Sequence, residues 1–171
     1  TGRSGNGYKV RINNYYGSEY SQSVSSSTSD ITAGTWYHFV LVRSGNTLTL
    51  YKDGASFLTL TNSDVASNNL NLGSEFRIGY GYGAASTRYT NGLMDSFAIF
   101  NRALSSDAVK SIYNDGEIID LTKDYGYYKP KNNLIAYYQM EEGEGTILMD
   151  RTGNGRNGTL TNGPTYSTST P

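Results

Sequence analysis

The clearest alternation of hydrophobic and polar positions lies in one stretch of the first third of the chain. Residues 36–43 form a β-branched and aromatic run, residues 44–46 form a polar turn, and residues 47–52 alternate leucine with threonine or tyrosine. Two such runs around a turn are typical of a β-hairpin. Asp53-Gly54 predicts a second reversal, because glycine adopts positive φ without steric cost. With residues 56–60 as the next strand, the pattern predicts an antiparallel meander.

Alternating runs on both sides of the meander predict further strands. They lie at residues 8–12, 20–27, 75–80, 92–100 and 133–140. Asp95 is unusual because alternate strand positions share a face, and the other side chains on its face are leucine, phenylalanine and isoleucine. An unpaired buried carboxylate is too costly, so Asp95 must be ion-paired, hydrogen-bonded or at a rim.

One segment has the spacing of a helix. Ser105 is suited to cap its first turn, and Asp107 is favoured at the positive end of the helix dipole. The apolar positions that follow recur every three or four residues, and Gly116 ends the pattern. The sequence predicts one short helix at about residues 105–114.

Composition narrows the class of protein. Twenty glycines and sixteen tyrosines with little charge, in 171 residues, are typical of a turn-rich, all-β module. The formal net charge of −1 gives no electrostatic reason to expect nucleic acid or an anionic membrane as a partner. No apolar run approaches the roughly 20 residues of a membrane-spanning helix, so we do not expect membrane insertion. Without cysteine there is no disulfide framework.

Three ordered stretches give the chain a resemblance to a known family. They read WYHFVLVRSGNTLTLYKDG, LNLGSEFRIGYG and NGLMDSFAIFNRALSSDAVKSIYN. Together they resemble the laminin G-like branch of the concanavalin A-like jelly rolls over residues 8–114. The resemblance implies an all-β, antiparallel, two-sheet jelly-roll sandwich with one short helix. It is more specific for fold than for function, because one sandwich hosts many activities.

The order of the segments departs from that family. Residues 133–140 and the Gly/Asn-rich loop after them resemble the strands that the family places first, yet here they come last. We therefore expect residues 1–116 to form the main part of the sandwich and residues 117–132 a connector. Residues 133–171 then complete the same sandwich, as a circular permutation, or begin the next repeat of an array. An orphan strand would expose its edge, so we predict that residues 134–140 pair antiparallel within a sandwich.

The loop at residues 150–158, DRTGNGRNG, is the best candidate for a metal site. Oxygen-bearing side chains at every second position imitate the first half of a calcium loop. The twelfth position is Thr161 rather than glutamate, which excludes a hand-type calcium loop. The family resemblance implies another site, in which the loop and a strand aspartate hold a structural calcium. Its ligands would be Asp95, Asp150, Asn154 and Asn157. The alternative is a turn in which Asp150 binds its own backbone.

No catalytic constellation stands out. His38 is the only histidine, and it shares a strand face with Trp36 and two valines, which predicts core packing. A Ser/His/Asp triad or a zinc site is therefore not expected. Retaining glycosidases of the superfamily need carboxylates about 5 Å apart on one face. Glu117 and Asp120 are three positions apart and would point to opposite faces of a strand. We expect a non-catalytic protein.

Tyrosines in loops offer a binding surface. Sugar rings stack on aromatic side chains, and polar groups bind their hydroxyls. The candidate ligand-binding residues are Tyr80, Tyr82, Arg88 and Tyr89, in the Gly-rich loop after the run at residues 75–80. The alternative is that these tyrosines only cover sheet faces.

We expect an extracellular or surface-exposed recognition module for a glycan or glycoprotein, belonging to a larger multi-domain or repeating assembly. The alternative is a structural module of a fibre, virion or appendage that binds no small ligand.

Overall fold

The structure is a computed structural model that describes residues 2–4, 7–9, 11–16, 19–27, 30–63, 76–81, 88–130 and 133–171. In that part the chain is all-β with one short α-helix, as predicted. The strands are β1 (Gly2–Ser4), β2 (Gly7–Lys9), β3 (Arg11–Tyr16), β4 (Glu19–Ser25), β5 (Phe39–Ser44), β6 (Thr47–Lys52), β7 (Ala55–Thr61), β8 (Tyr80–Gly81), β9 (Arg88–Tyr89), β10 (Phe97–Phe100), β11 (Leu134–Tyr138), β12 (Ile147–Leu148) and β13 (Gly158–Thr159). The helix α1 spans Ser106–Tyr113, and a 3-10 turn at Asn114–Gly116 follows it. No helix in these ranges has the length and apolarity to span a bilayer.

All strand pairs in the part of the chain that the structure describes are antiparallel. Strand β1 pairs with β2, β3 with β4, β8 with β9, β10 with β11 and β12 with β13, while β5, β6 and β7 form a three-stranded sheet. Strand β3 extends to Tyr16, beyond the end of the predicted strand at residues 8–12. Strand β8 is shorter than the predicted strand at residues 75–80, because Gly79 has a φ of 78° and interrupts the extended backbone.

The predicted meander is confirmed as β5–β6–β7, with Leu41 opposite Leu50 and Leu50 opposite Leu58. Its second turn has positive φ at both Asp53 (50°) and Gly54 (75°), the backbone that a tight hairpin requires. Strand β5 begins at Phe39 rather than at residue 36, since the N–H of His38 donates to the Asp53 carboxylate at 2.9 Å and not to a strand.

Helix α1 forms where capping predicted it. The N–H of Ala108 donates to Ser105 Oγ at 3.1 Å, and Asn114 ends the helix in a left-handed conformation with φ 47°. Ala108, Val109 and Ile112 are buried on one face of the helix.

Among the described residues, two hydrophobic clusters form the core. Leu50 and Leu60 centre the first, on the meander. The second joins α1 to β5, to β10 and to the connector, through Ala108, Ile112 and Tyr128 with Val40 and Phe100 packed against them. Burial raises the pKa of Tyr128, whose hydroxyl donates to the Leu121 carbonyl at 2.7 Å. Part of the predicted connector therefore belongs to the hydrophobic core. The predicted domain boundaries at residues 116 and 132 stay a prediction.

The predicted pairing of residues 134–140 is confirmed for β11, which pairs with β10 from Phe97 opposite Tyr138 to Phe100 opposite Leu134. The predicted strand at residues 92–100 is wrong in its first half, because β10 begins at Phe97. Ser96 has a φ of 48°, which breaks the alternation that placed Asp95 on an apolar face.

Candidate functional site

The Gly/Asn-rich loop at residues 150–157 binds the edge of β11 that faces away from β10. The N–H of Tyr137 donates to Asp150 Oδ1 at 3.2 Å, and the N–H of Arg151 donates to the Tyr137 carbonyl at 2.8 Å. Both backbone groups of Tyr137 are thus used by the loop. The loop continues the sheet past β11 with a side-chain carboxylate in place of a backbone carbonyl.

The Asp150 carboxylate is the centre of this loop. Besides Tyr137, it accepts the Thr152 N–H at 3.0 Å, the Thr152 hydroxyl at 2.7 Å and the Arg156 N–H at 3.1 Å. Burial raises the pKa of the Asp150 carboxyl, but the hydrogen bonds from Thr152, Arg156 and Tyr137 together outweigh burial and lower the pKa below its ordinary value. Asp150 is therefore an ionised, hydrogen-bonded side chain.

The four candidate metal ligands are only partly brought together. Asn157 accepts the Asp150 N–H at 3.0 Å, and Asn154 Nδ2 donates to the Ile135 carbonyl at 3.0 Å, so both lie in the Asp150 loop. Asp95 accepts the Ser96 hydroxyl at 2.8 Å and precedes β10, which pairs with the opposite edge of β11. Across the described ranges, no three or more histidine, aspartate or glutamate side chains gather as metal ligands would. The calcium site stays a prediction.

A shallow cleft of about 350 Å³, here named the β11 cleft, opens beside this loop. It is lined by Asn101, Leu134, Ile135, Thr152, Asn154 and Arg156. Sequence reasoning singled out Asn154 of this set but not the cleft. The cleft forms because the loop pairs with β11, and no pattern of neighbouring residues in the sequence predicts that pairing.

The predicted ligand-binding tyrosines form a pair. Tyr80 on β8 lies opposite Tyr89 on β9, with ring centroids 5.7 Å apart and ring planes tilted by 56°. Tyr80 is half-buried, whereas 54% of Tyr89 is exposed. Strand β9 positions Arg88 opposite Gly81. Tyr82 lies outside the described residues, and of Arg88 only the backbone is described.

Two further residues join the tyrosine pair. The Arg77 guanidinium lies 5.1 Å from the centroid of the Tyr80 ring, a distance typical of a cation–π contact. Asn162 Nδ2 donates to the Tyr89 hydroxyl at 3.5 Å from 73 positions along the chain. Sequence reasoning missed both. Arg77 and Tyr80 belong to the same predicted strand, so their short separation in sequence could have suggested the contact. No feature of the sequence near Tyr89 indicates Asn162.

His38 and the acidic residues have structural surroundings. The His38 ring lies 5.9 Å from the Tyr113 ring, and its Nδ1 is buried with no hydrogen-bond partner among the described residues. Burial lowers the pKa of His38, although the charge of Asp53 opposes that effect. Asp120 accepts two hydrogen bonds from Thr122 and lies 3.2 Å from the Lys123 ammonium, while Glu117 is exposed. His38 therefore packs against Tyr113, and Asp120 stabilises a turn with Thr122.

Comparison with known proteins gives one family. The laminin G member of the concanavalin A-like lectin/glucanases superfamily matches residues 2–110. A crystal structure of residues 221–444 of an S-layer domain-containing protein from Clostridium thermocellum is similar to 61% of this chain, with 28% sequence identity and a TM-score of 0.43. The chain spans about half of that structure, 51% of its length. No curated protein matches the chain at a significant level.

Proposed function

Because the chain belongs to the concanavalin A-like lectin/glucanases superfamily, we propose that it is a non-catalytic recognition module that binds a glycan or glycoprotein through Tyr80 and Tyr89. The observation that carries this proposal is the tyrosine pair, with centroids 5.7 Å apart and Tyr89 more than half exposed. An aromatic ring held in place by a neighbouring ring is a stacking surface that needs little ordering when a ligand binds.

The chemistry of the pair suits a sugar ring. The C–H groups of one sugar face would stack on the Tyr89 ring, while phenol hydroxyls and the Asn162 amide would bind the sugar hydroxyls at its edge. Asn162 already contacts the Tyr89 hydroxyl, which places an amide beside the ring. Arg77 at the Tyr80 ring fixes the supporting member of the pair. Tyr89 is then the contact residue and Tyr80 its support.

We further propose that the module lies outside the cell or on its surface, within a larger multi-domain or repeating assembly. Its support is compositional: a turn-rich chain with many tyrosines and few charges is common among extracellular β modules. The family membership agrees with a recognition role, and the His38 ring and the Asp120 carboxylate have structural contacts.

A glycan array followed by titration calorimetry tests the proposal. We expect Tyr89→Ala to weaken glycan binding by about tenfold or more, since truncating a central aromatic contact costs roughly 1–2 kcal/mol or more. Its matched control is Tyr127→Ala, which removes a tyrosine that is 75% exposed in the connector. Equal affinity of the Tyr89→Ala variant and the original chain would remove the site. An array without any bound glycan would favour a structural module instead.

A further inference from the structure

The carbonyl of Ile135 in the β11 cleft has its acceptor capacity filled by two side chains of the loop. Asn154 Nδ2 and Arg156 Nη1 both donate to it at 3.0 Å, whereas the Thr152 hydroxyl, 3.5 Å away, donates to Asp150 Oδ1 at 2.7 Å. A carbonyl oxygen has two lone pairs, so these two donors occupy it. Any further N–H group of the Arg156 guanidinium in the cleft therefore needs another acceptor.

Arg156 supplies the charge of the cleft. A guanidinium has five N–H donors, and the Ile135 carbonyl takes one of them. None of the ion pairs among the described residues includes Arg156. The nearest acidic group along the loop, Asp150, directs its carboxylate to backbone N–H groups and to Thr152, including the Arg156 N–H rather than its side chain. The positive charge of Arg156 is thus available to a ligand.

The backbone of Arg156 is held on both sides, which fixes where its side chain begins. Its N–H donates to Asp150 Oδ2 at 3.1 Å, and its carbonyl accepts the Tyr138 hydroxyl at 2.5 Å. A guanidinium on a fixed backbone, already oriented by one hydrogen bond, loses little freedom when it binds a second acceptor.

We propose that the β11 cleft binds the carboxylate of a small acidic sugar. The planar fork of Arg156 matches a carboxylate, and the amide groups of Asn101 and Asn154 line the same cleft and suit sugar hydroxyls. The volume of about 350 Å³ is near the lower end of ligand pockets, which suits a single sugar unit. This site is lined by other residues than Tyr80 and Tyr89, so it stands whether or not the tyrosine pair binds a glycan.

Galacturonate and galactose test the carboxylate requirement, because they differ only by a carboxylate in place of a hydroxymethyl group. We expect galacturonate to shift the backbone amide NMR signals of Ile135, Thr152 and Arg156, and galactose at the same concentration to leave them unchanged. Raised salt should weaken the galacturonate effect, since the attraction is between exposed charges. Equal shifts with the two sugars, or no shift with either, would overturn the proposal.

Two variants identify Arg156 as the ligand residue. We expect Arg156→Gln to weaken galacturonate binding roughly 10- to 100-fold, the usual effect of losing a hydrogen bond to a charged group. Arg151→Gln is the matched control: it removes the same charge from the same loop, but Arg151 faces Glu142 at 4.0 Å. Asn101→Asp changes the opposite wall without touching the loop and should also weaken binding, by repulsion. Unchanged affinity in Arg156→Gln would contradict the assignment of Arg156. In the Tyr89→Ala variant, galacturonate should produce the same shifts as in the original chain.

Discussion

Tyr137 and Asp150 are joined by a buried hydrogen bond that helps to attach the loop at residues 150–157 to the sheet, from the Tyr137 N–H to Asp150 Oδ1 at 3.2 Å. Tyr137 is fully buried and Asp150 is buried with it, so water cannot easily replace either partner. An aspartate side chain here takes the place of the next strand. The loop that lines the β11 cleft is therefore held by a carboxylate and not by a continuous ladder.

Asp150→Ala should destabilise the protein by about 2–4 kcal/mol. The change removes an acceptor shared by four donors, and it leaves the buried Tyr137 N–H without a partner. Chemical denaturation would measure the loss. The matched control is Asp120→Ala, because Asp120 binds the N–H and hydroxyl of Thr122 in the same way but the structure describes no bond from it to a strand. Equal losses in the two variants would show that the bond to β11 contributes nothing.

Gly54→Ala should destabilise the protein by roughly 1–3 kcal/mol, through strain and overlap together. Gly54 has a φ of 75°, and an added Cβ would lie 2.9 Å from Tyr113 Cδ1 on α1. Gly45→Ala separates the two effects, because Gly45 has a φ of 56° with nothing within 4 Å of an added Cβ. The difference between the two midpoints of thermal unfolding reports how closely the meander packs on α1. Equal midpoints would mean that Tyr113 moves aside without cost.

Local patterns predicted the meander and the helix well, since a turn at Asp53-Gly54 and a cap at Ser105 depend only on neighbours in the chain. The strand around Asp95 was predicted less well. The alternation of apolar and polar residues is present in the sequence. The positive φ at Ser96 nevertheless interrupts the strand, and no residue type near that position indicates the interruption. Alternation alone therefore misplaced the Asp95 side chain.

The two candidate sites also differ in how far the sequence could predict them. Tyr80 and Tyr89 could be proposed together from the sequence because both belong to one Gly-rich segment, and the structure pairs them. The β11 cleft and the contact from Asn162 to Tyr89 join segments that are far apart in sequence, 73 positions in the second case. Such contacts depend on the packing of the whole chain, which a single sequence does not display.

The stability of the protein should fall as the pH is lowered from about 7.5 to 5, because of His38. Burial lowers its pKa below the ordinary value of 6.5, so the unfolded chain takes up a proton at a higher pH than the folded one does. The contribution of His38 is complete above that ordinary value and is lost as the pH falls through it toward the folded pKa. His38→Phe keeps a ring beside Tyr113 and removes the titration. Urea unfolding at both pH values should show a smaller decline in that variant; an equal decline would assign the effect to other groups.

The loop at residues 150–157 has two possible descriptions, a calcium site with Asp95 or a hydrogen-bonded turn, and a melting experiment separates them. A carboxylate has about four acceptor sites, and four donors already approach that of Asp150, so each calcium contact would displace a hydrogen bond. Asp95, with its bond from Ser96, precedes the strand on the other edge of β11. A hydrogen-bonded turn would give the same melting midpoint in chelator and in millimolar calcium. A calcium clamp would instead add about 2.7 kcal/mol at a hundredfold excess over its dissociation constant. If calcium raises the midpoint, and both Asp95→Asn and Asp150→Asn abolish that rise, the calcium site is established. Asp107→Asn, on the exposed side of α1, serves as the control for loss of charge.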